Sequence, residues 1–166
     1  MKGVFFRLPQ LNQTLICCDG AAKGNPGAAC IGFIARQSDE ICLGDGSGGL
    51  GVTTNYIAEV MALITTGECA VGKHLTDVCF SLDSKTVILA FTRGKVPWIV
   101  KNRWRKMKKT LRSITFRHSY REVNFSADQL AKKGITLGKG VVILYEGRPN
   151  FLRIMEQEDA HYFRFT

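Results

Sequence analysis

No stretch of this sequence approaches the roughly 18 consecutive apolar residues that a membrane-spanning helix needs. Gly, Cys, Thr or a charged residue interrupts every apolar run well before that length. The N-terminus, Met1-Lys2-Gly3-Val4-Phe5-Phe6-Arg7, has one early Lys and a short apolar patch. It lacks the roughly 7–15 apolar residues of a secretory leader, and neither end carries a lipidation motif. The expectation is therefore no membrane partner. There is no C-x-x-C among Cys17, Cys18, Cys30, Cys42, Cys69 and Cys79, and no His stands at a zinc-finger spacing from them. Most of these cysteines sit among apolar residues, as in Val78-Cys79-Phe80 and Ile41-Cys42-Leu43. They read as reduced, buried thiols, which implies an intracellular, reducing compartment; nucleus and cytoplasm are not separated by it.

Acidic residues are also scarce. Asp plus Glu number 14 against 23 Lys plus Arg, a formal charge of +9 in 166 residues. Such an excess points to an anionic partner, with nucleic acid the first candidate. The length suits one domain, and a hydrophobic fraction of 45% is enough for a real core. The charge is concentrated: nine Lys and Arg and no acid lie between Lys95 and Arg117, interleaved with Trp98 and Trp104. This run reads as a face that tracks phosphates, through Lys101, Arg103 and Arg105, with Trp98 either in the core or against a nucleic-acid strand. The alternative is a solvated helix face with both Trp packed inward.

The pattern of apolar residues gives an order β-β-β-α-β-α-α-β-α. Gln13–Asp19, Ala28–Arg36 and Glu40–Gly46 read as a meander of three strands. Thr53-Thr54-Asn55 opens a helix whose Ile57, Val60, Met61 and Ile64 recur at helical spacing to about Gly72. Leu75–Leu82 is a fourth strand, Ser84 caps a short helix, Pro97 starts another, and Arg112–Phe116 is a fifth strand. Asn124 or Ser126 caps a last helix that ends at Gly134. This predicts an α/β fold, a mixed five-stranded sheet flanked by helices. Residues 1–12 form an N-terminal extension, 13–137 the domain, and 138–166 a C-terminal tail outside it.

Gly44-Asp45-Gly46-Ser47-Gly48-Gly49 matches G-x-G-x-x-G literally. A dinucleotide site needs that loop to open a helix inside a βαβ unit. Here the next helix starts several residues later, so the segment reads as a Gly-rich turn after an edge strand. The carboxylates are more telling. Asp19 ends the first strand and Asp83 the fourth, a placement that brings both to one sheet edge. Glu59 lies in the first long helix between the small residues Ala58 and Ala62, and Asp128 lies in the first turn of the last helix. Singly, each is an ordinary turn or helix-dipole residue. Four carboxylates near one point would repel unless cations sat among them, and oxygen ligands suit Mg²⁺ or Mn²⁺.

Four segments together resemble type 1 ribonuclease H domains. These are Asp19-Gly20-Ala21-Ala22-Lys23-Gly24-Asn25-Pro26-Gly27; Thr54-Asn55 with Ala58-Glu59 and Ala62-Leu63; Leu82-Asp83-Ser84; and His118 followed by Asn124 and Ala127-Asp128-x-Leu130-Ala131. The variant is most similar to plant retroelement domains, including those at the C-terminus of non-LTR reverse transcriptases. The resemblance spans about residues 13–137. It implies an endoribonuclease that cuts the RNA strand of RNA–DNA hybrids with two metal ions, leaving 3′-hydroxyl and 5′-phosphate ends. It further implies that Asp19 bridges two Mg²⁺ (or Mn²⁺) ions, that Glu59 and Asp83 complete one metal site, and that Asp128 completes the other. By the same resemblance Glu59 also lies near the ribose 2′-hydroxyl. His118 would assist proton transfer and product release, and Asn55 with backbone groups near Gly24 and Asn25 would contact the hybrid.

The chemistry agrees. Two metals about 4 Å apart can both activate a water and stabilise a leaving oxygen, and the 2′-hydroxyl is what tells RNA from DNA. Tyr56 stands where many such domains have a second Asn, and the stretch between Asp83 and His118 is short for the extra basic protrusion of some bacterial members. Met1 is expected of an independent reading frame, with a reverse transcriptase domain of one polyprotein as the other possible context. Two rivals remain: a catalytically weak or inactive nucleic-acid-binding module on the same fold, and a protein-interaction domain whose basic run meets an acidic partner.

Overall fold

The structure is a computed structural model that describes residues 1–165. Its strands are β1 (Lys2–Val4), β2 (Thr14–Gly24), β3 (Gly27–Arg36), β4 (Cys42–Thr53), β5 (Asp77–Leu82), β6 (Ser113–His118), β7 (Val142–Tyr145) and β8 (Tyr162–Arg164). Its helices are α1 (Asn55–Gly72), α2 (Lys85–Thr92), α3 (Lys101–Thr110) and α4 (Phe125–Lys133), with short 3₁₀ turns at Trp98–Val100, Arg121–Val123 and Gly134–Thr136. The main sheet runs β6-β5-β2-β3-β4-β7. β2, β5 and β6 are parallel, while β3, β4 and β7 pair antiparallel.

Two cores follow from strand alternation, since successive side chains point to opposite faces. Ile16, Cys18, Ile31 and Phe33 face α1, α2 and α3, packing on Leu63, Phe91, Trp104 and Met107. Leu15, Cys17 and Ile34 face α4 and both chain termini, packing on Ala127, Leu130, Phe6 and Leu152. The helix starts obey local chemistry. Thr54 Oγ1 accepts from Ile57 N at 3.2 Å to open α1, and Ser84 Oγ accepts from Val87 N at 3.3 Å to open α2. The six cysteines are free thiols, four of them buried. Among the described residues no helix is long and apolar enough to cross a membrane.

Two sequence expectations need correction. The sheet has six strands, not five. β7 comes from the C-terminal tail and pairs antiparallel with β4, from Asp45↔Tyr145 to Gly48↔Val142. As an edge strand it leaves Val142, Ile143 and Leu144 between 37% and 54% exposed, so its residues show none of the alternation that marks a half-buried strand. The Gly44–Gly49 segment is not a turn but the middle of β4, paired with β3 on one side and β7 on the other. Two ladders satisfy its backbone groups, which outweighs the poor strand preference of glycine. A small second sheet, β1 with β8, joins the chain ends.

Candidate active site

Asp19 lies in the middle of β2, opposite Gly32 of β3, and not at the strand's end, because the β2–β3 ladder continues to Gly24↔Gly27. Two glycines explain how helices reach it. A Cβ on Gly20 would sit 2.1 Å from the carbonyl oxygen of Ala58, and one on Gly32 would sit 2.1 Å from Ala131 N. The bare backbone thus lets α1 press on β2 from one face and α4 press on β3 from the other. Glu59 follows Ala58 directly, and Asp128 follows Ala127 in the first turn of α4. Asp83 comes from the neighbouring strand end. The parallel register pairs Cys17 with Ser81, and extending it by two residues sets Asp83 beside Asp19.

The side chains converge. One carboxylate oxygen from each of Asp19, Glu59 and Asp83 lies within 4.8 Å of the others. Asp128, in the first turn of α4, is close enough to Asp19 for its charge to act on that carboxyl. Burial and this crowding push all three upward. The Asp19 carboxyl is raised to about 8, first by burial and then by the charges of Asp83, Asp128 and Glu59. Glu59 is raised to about 7, mainly by burial, against a lowering hydrogen bond from Ser84. Asp83 is raised by burial too, offset in part by Arg121, whose Nε lies 4.0 Å from Asp83 Oδ2. Lys132 Nζ lies 3.0 Å from Asp128 Oδ2.

Without a cation the cluster relieves repulsion by holding protons. A donor set of carboxylate oxygens alone, partly buried and mutually repelling, fits hard divalent ions such as Mg²⁺ or Mn²⁺. His118 ends β6, and its Nε2 lies 3.2 Å from the carbonyl oxygen of Asp83, so the ring is anchored at the rim of the cluster.

The remaining expected residues are spread around this centre. Asn55 and Asn25 fasten the β2–β3 hairpin to the start of α1. Asn55 Oδ1 accepts from Ala22 N at 2.8 Å, and Asn25 Oδ1 accepts from Asn55 N at 3.1 Å. Gly24 in this hairpin has φ 101°, a left-handed conformation that glycine adopts freely. Trp98 is 85% exposed and stands outside the core, whereas Trp104 is buried edge-on against Phe91 at 4.9 Å. Lys101 and Arg105 are exposed on α3. Arg103 differs: its Nε and Nη2 donate to Glu68 on α1 at 2.9 and 2.5 Å.

Sequence reasoning missed two groups. Asn124, read as a capping candidate and as part of the His118–Ala131 segment but given no role at the site, donates from Nδ2 to the carbonyl of Cys18 at 3.2 Å and so ties the start of α4 to the residue before Asp19. Glu156, in the tail, reaches the first turn of α4. Neither pairing has a local sequence signal, because each bond joins segments far apart in the chain.

Residues 17–134 match the model of the family described as reverse transcriptase-like. Ribonuclease HI of Halobacterium salinarum (strain ATCC 700922 / JCM 11081 / NRC-1) is 36% identical over 69 residues, 42% of this chain and 35% of that relative. The crystal structure of RNase H1 from the same archaeon superimposes with a TM-score of 0.68 at 27% identity, covering 74% of this chain and 97% of that one. Ribonuclease H of Geotalea uraniireducens (strain Rf4) is 36% identical over 94 residues, 57% of this chain and 60% of the relative. The matched stretches therefore span 35% and 60% of these two curated relatives' own length. LC11-RNase H1, isolated from compost and crystallised in complex with an RNA/DNA hybrid, aligns with a TM-score of 0.63 at 29% identity, over 74% of this chain and 96% of that one. With the four carboxylate positions inside the matched span and the RNase H fold around them, the chain belongs to the reverse transcriptase-like family.

Proposed function

We propose that this chain hydrolyses the RNA strand of RNA–DNA hybrids endonucleolytically, leaving 3′-hydroxyl and 5′-phosphate ends. The observation that carries the reading is the meeting of Asp19, Glu59 and Asp83 within 4.8 Å, with Asp128 against Asp19. These four would hold Mg²⁺ or Mn²⁺, two ions per site with substrate. Such ions supply charge neutralisation at the phosphate and a more acidic water. The chain's own groups do the rest. His118, anchored on the Asp83 carbonyl, would be the group that assists proton transfer and product release. Glu59, on the α1 side of the cluster, would meet the 2′-hydroxyl that marks the strand as RNA. The hairpin held by Asn25 and Asn55 and the exposed Trp98, Lys101 and Arg105 would contact the duplex, the cations through phosphates.

Support for the substrate comes from the similarity to LC11-RNase H1, which was crystallised with an RNA/DNA hybrid. The family description supports a retroelement context, with a reverse transcriptase domain of the same polyprotein as partner; a plant non-LTR element is the source we infer. An intracellular setting, nuclear or cytoplasmic, fits the free thiols.

The test is cleavage of a labelled RNA–DNA hybrid in Mg²⁺ and in Mn²⁺, beside RNA and DNA duplexes, with Asp19→Asn and Asp83→Asn in parallel. The expected result is metal-dependent cutting of the RNA strand of the hybrid alone, lost in both variants. Hybrid binding without cutting by the intact chain would replace the enzyme by a binding module. Absence of both would end the nucleic-acid reading.

A further inference from the structure

The family match ends at residue 134, yet the chain continues through β7 to a buried carboxylate at Glu156. Helix α4 carries Asp128 in its first turn, where backbone N–H groups have no intrahelical partner. Its N-cap residue, Asn124, makes no side-chain capping bond; its amide goes to Cys18 instead. The open position is filled from the tail. Ser126 N–H donates to Glu156 Oε2 at 2.9 Å, and Ser126 Oγ donates to Glu156 Oε1 at 2.7 Å. Arg36 holds that carboxylate in place: Nη2 donates to Oε1 at 2.6 Å and Nη1 to the Glu156 carbonyl at 3.1 Å. The Arg36 and Glu156 side chains are 2% and 0% exposed, and the guanidinium lies 4.6 Å over the Phe6 ring. Leu152, fully buried, seats the same segment.

We infer that Glu156 is a positioning residue for Asp128: the C-terminal tail supplies the cap that α4 lacks and sets the register of its first turn. This rests on the metal-site reading above. A carboxylate at a helix N-terminus is favoured both by the orphan N–H groups and by the helix dipole. Its bond to Ser126 falls two residues before Asp128, so a frayed first turn would move the one carboxylate that α4 contributes. The family's matched span holds α4 to the sheet through Asn124 and Gly32; this chain adds a second hold from outside that span.

Two variants isolate the cap from the ion pair. Arg36→Met/Glu156→Leu and Arg36→Met/Glu156→Gln both remove the buried charges and keep similar volume, which such sites tolerate. Only the Gln form keeps an oxygen for Ser126 N–H. Two readouts are taken: Mn²⁺ binding by titration calorimetry, and amide hydrogen exchange at Ser126–Asp128. In the Leu form Mn²⁺ binding should weaken about tenfold, the scale of lost outer-sphere support, and those amides should exchange faster. The Gln form should recover most of both. Equal behaviour of the two folded forms would overturn the inference. If the Leu form does not fold, Glu156→Asp decides, since it keeps a charge beside Arg36 while drawing the oxygen back from Ser126 N–H: about tenfold weaker Mn²⁺ binding with faster exchange at Ser126–Asp128 supports the cap, and both unchanged overturn it. If the parent chain binds no Mn²⁺, the metal reading fails, and exchange at Ser126–Asp128 still decides whether Glu156 caps α4.

Discussion

A partly buried carboxylate cluster and one fully buried carboxylate flank the first turn of α4, and they are satisfied in opposite ways. On one side, Asp19 in the middle of β2, Glu59 in α1 and Asp83 just past β5 crowd one another, and their pKa values are pushed up. On the other, Glu156 accepts from Arg36, from Ser126 N–H and from Ser126 Oγ, inside a core closed by Phe6 and Leu152. Burial costs a carboxylate dearly unless it is paired and hydrogen-bonded. The Glu156 site meets that condition within the chain; the Asp19 cluster leaves it to be met by something else. The first is how this fold holds itself together, and the second is a stored demand for cations.

Removing one charge from each site should therefore have opposite effects on stability. Asp19→Asn should lower cleavage about a thousandfold, the several kcal/mol that metal-assisted charge stabilisation supplies. The same change should raise the melting temperature of the metal-free protein at pH 8 by about 5 °C. Arg36→Met leaves Glu156 buried without its partner and should cost about 3 kcal/mol. Thermal unfolding with chelator present reads both. A destabilised Asp19→Asn would show that the cluster is already satisfied, and the contrast between the two sites would collapse.

The pH dependence sharpens the same contrast. A raised carboxyl pKa means that the folded chain keeps protons the unfolded chain has lost. Between the unfolded value, 3.8 for Asp19, and the folded value of about 8, the native state binds more protons, so its stability falls as pH rises. Glu59 acts in the same direction from 4.5 to about 7. Urea unfolding of metal-free protein should show lower stability at pH 8 than at pH 5. Saturating Mn²⁺ should restore stability at pH 8 more than at pH 5, because ions bind the deprotonated cluster. A flat profile without metal would remove the stored repulsion.

The four carboxylates were legible because each sits in or next to an element that the sequence marks strongly, an alternating strand or a capped helix, although β2 runs on past Asp19 to Gly24 where the Gly-rich segment reads as a turn. Trp104, Met107 and Leu111 recur at helical spacing and are all buried. That periodicity could have told Trp104 from Trp98, which precedes α3 and lies off its buried face. The tail was not legible. β7 is an exposed edge strand without alternation, and Glu156 meets Arg36 across 120 residues and Ser126 across 30. Pairings of that range leave no periodic trace. The Gly-rich part of β4 misled for the same reason: its strand character comes from neighbours on both sides, one of them β7.

The smallest effect divides the basic helix. Lys101 and Arg105 are exposed, while Arg103 spends two guanidinium nitrogens on Glu68. Removing a cation that neutralises one phosphate should lower the slope of log K against log salt by about 1. Lys101→Ala and Arg105→Ala should each show that drop in hybrid binding measured across a salt series. Arg103→Ala should leave the slope unchanged and cost less than about 1 kcal/mol of stability, since its pair with Glu68 is partly exposed, at 39% and 44%. A slope change for Arg103→Ala equal to that for Lys101→Ala would mean that the hybrid draws the guanidinium away from Glu68. In that case the whole of α3, and not only its outward face, would serve as the phosphate-tracking surface.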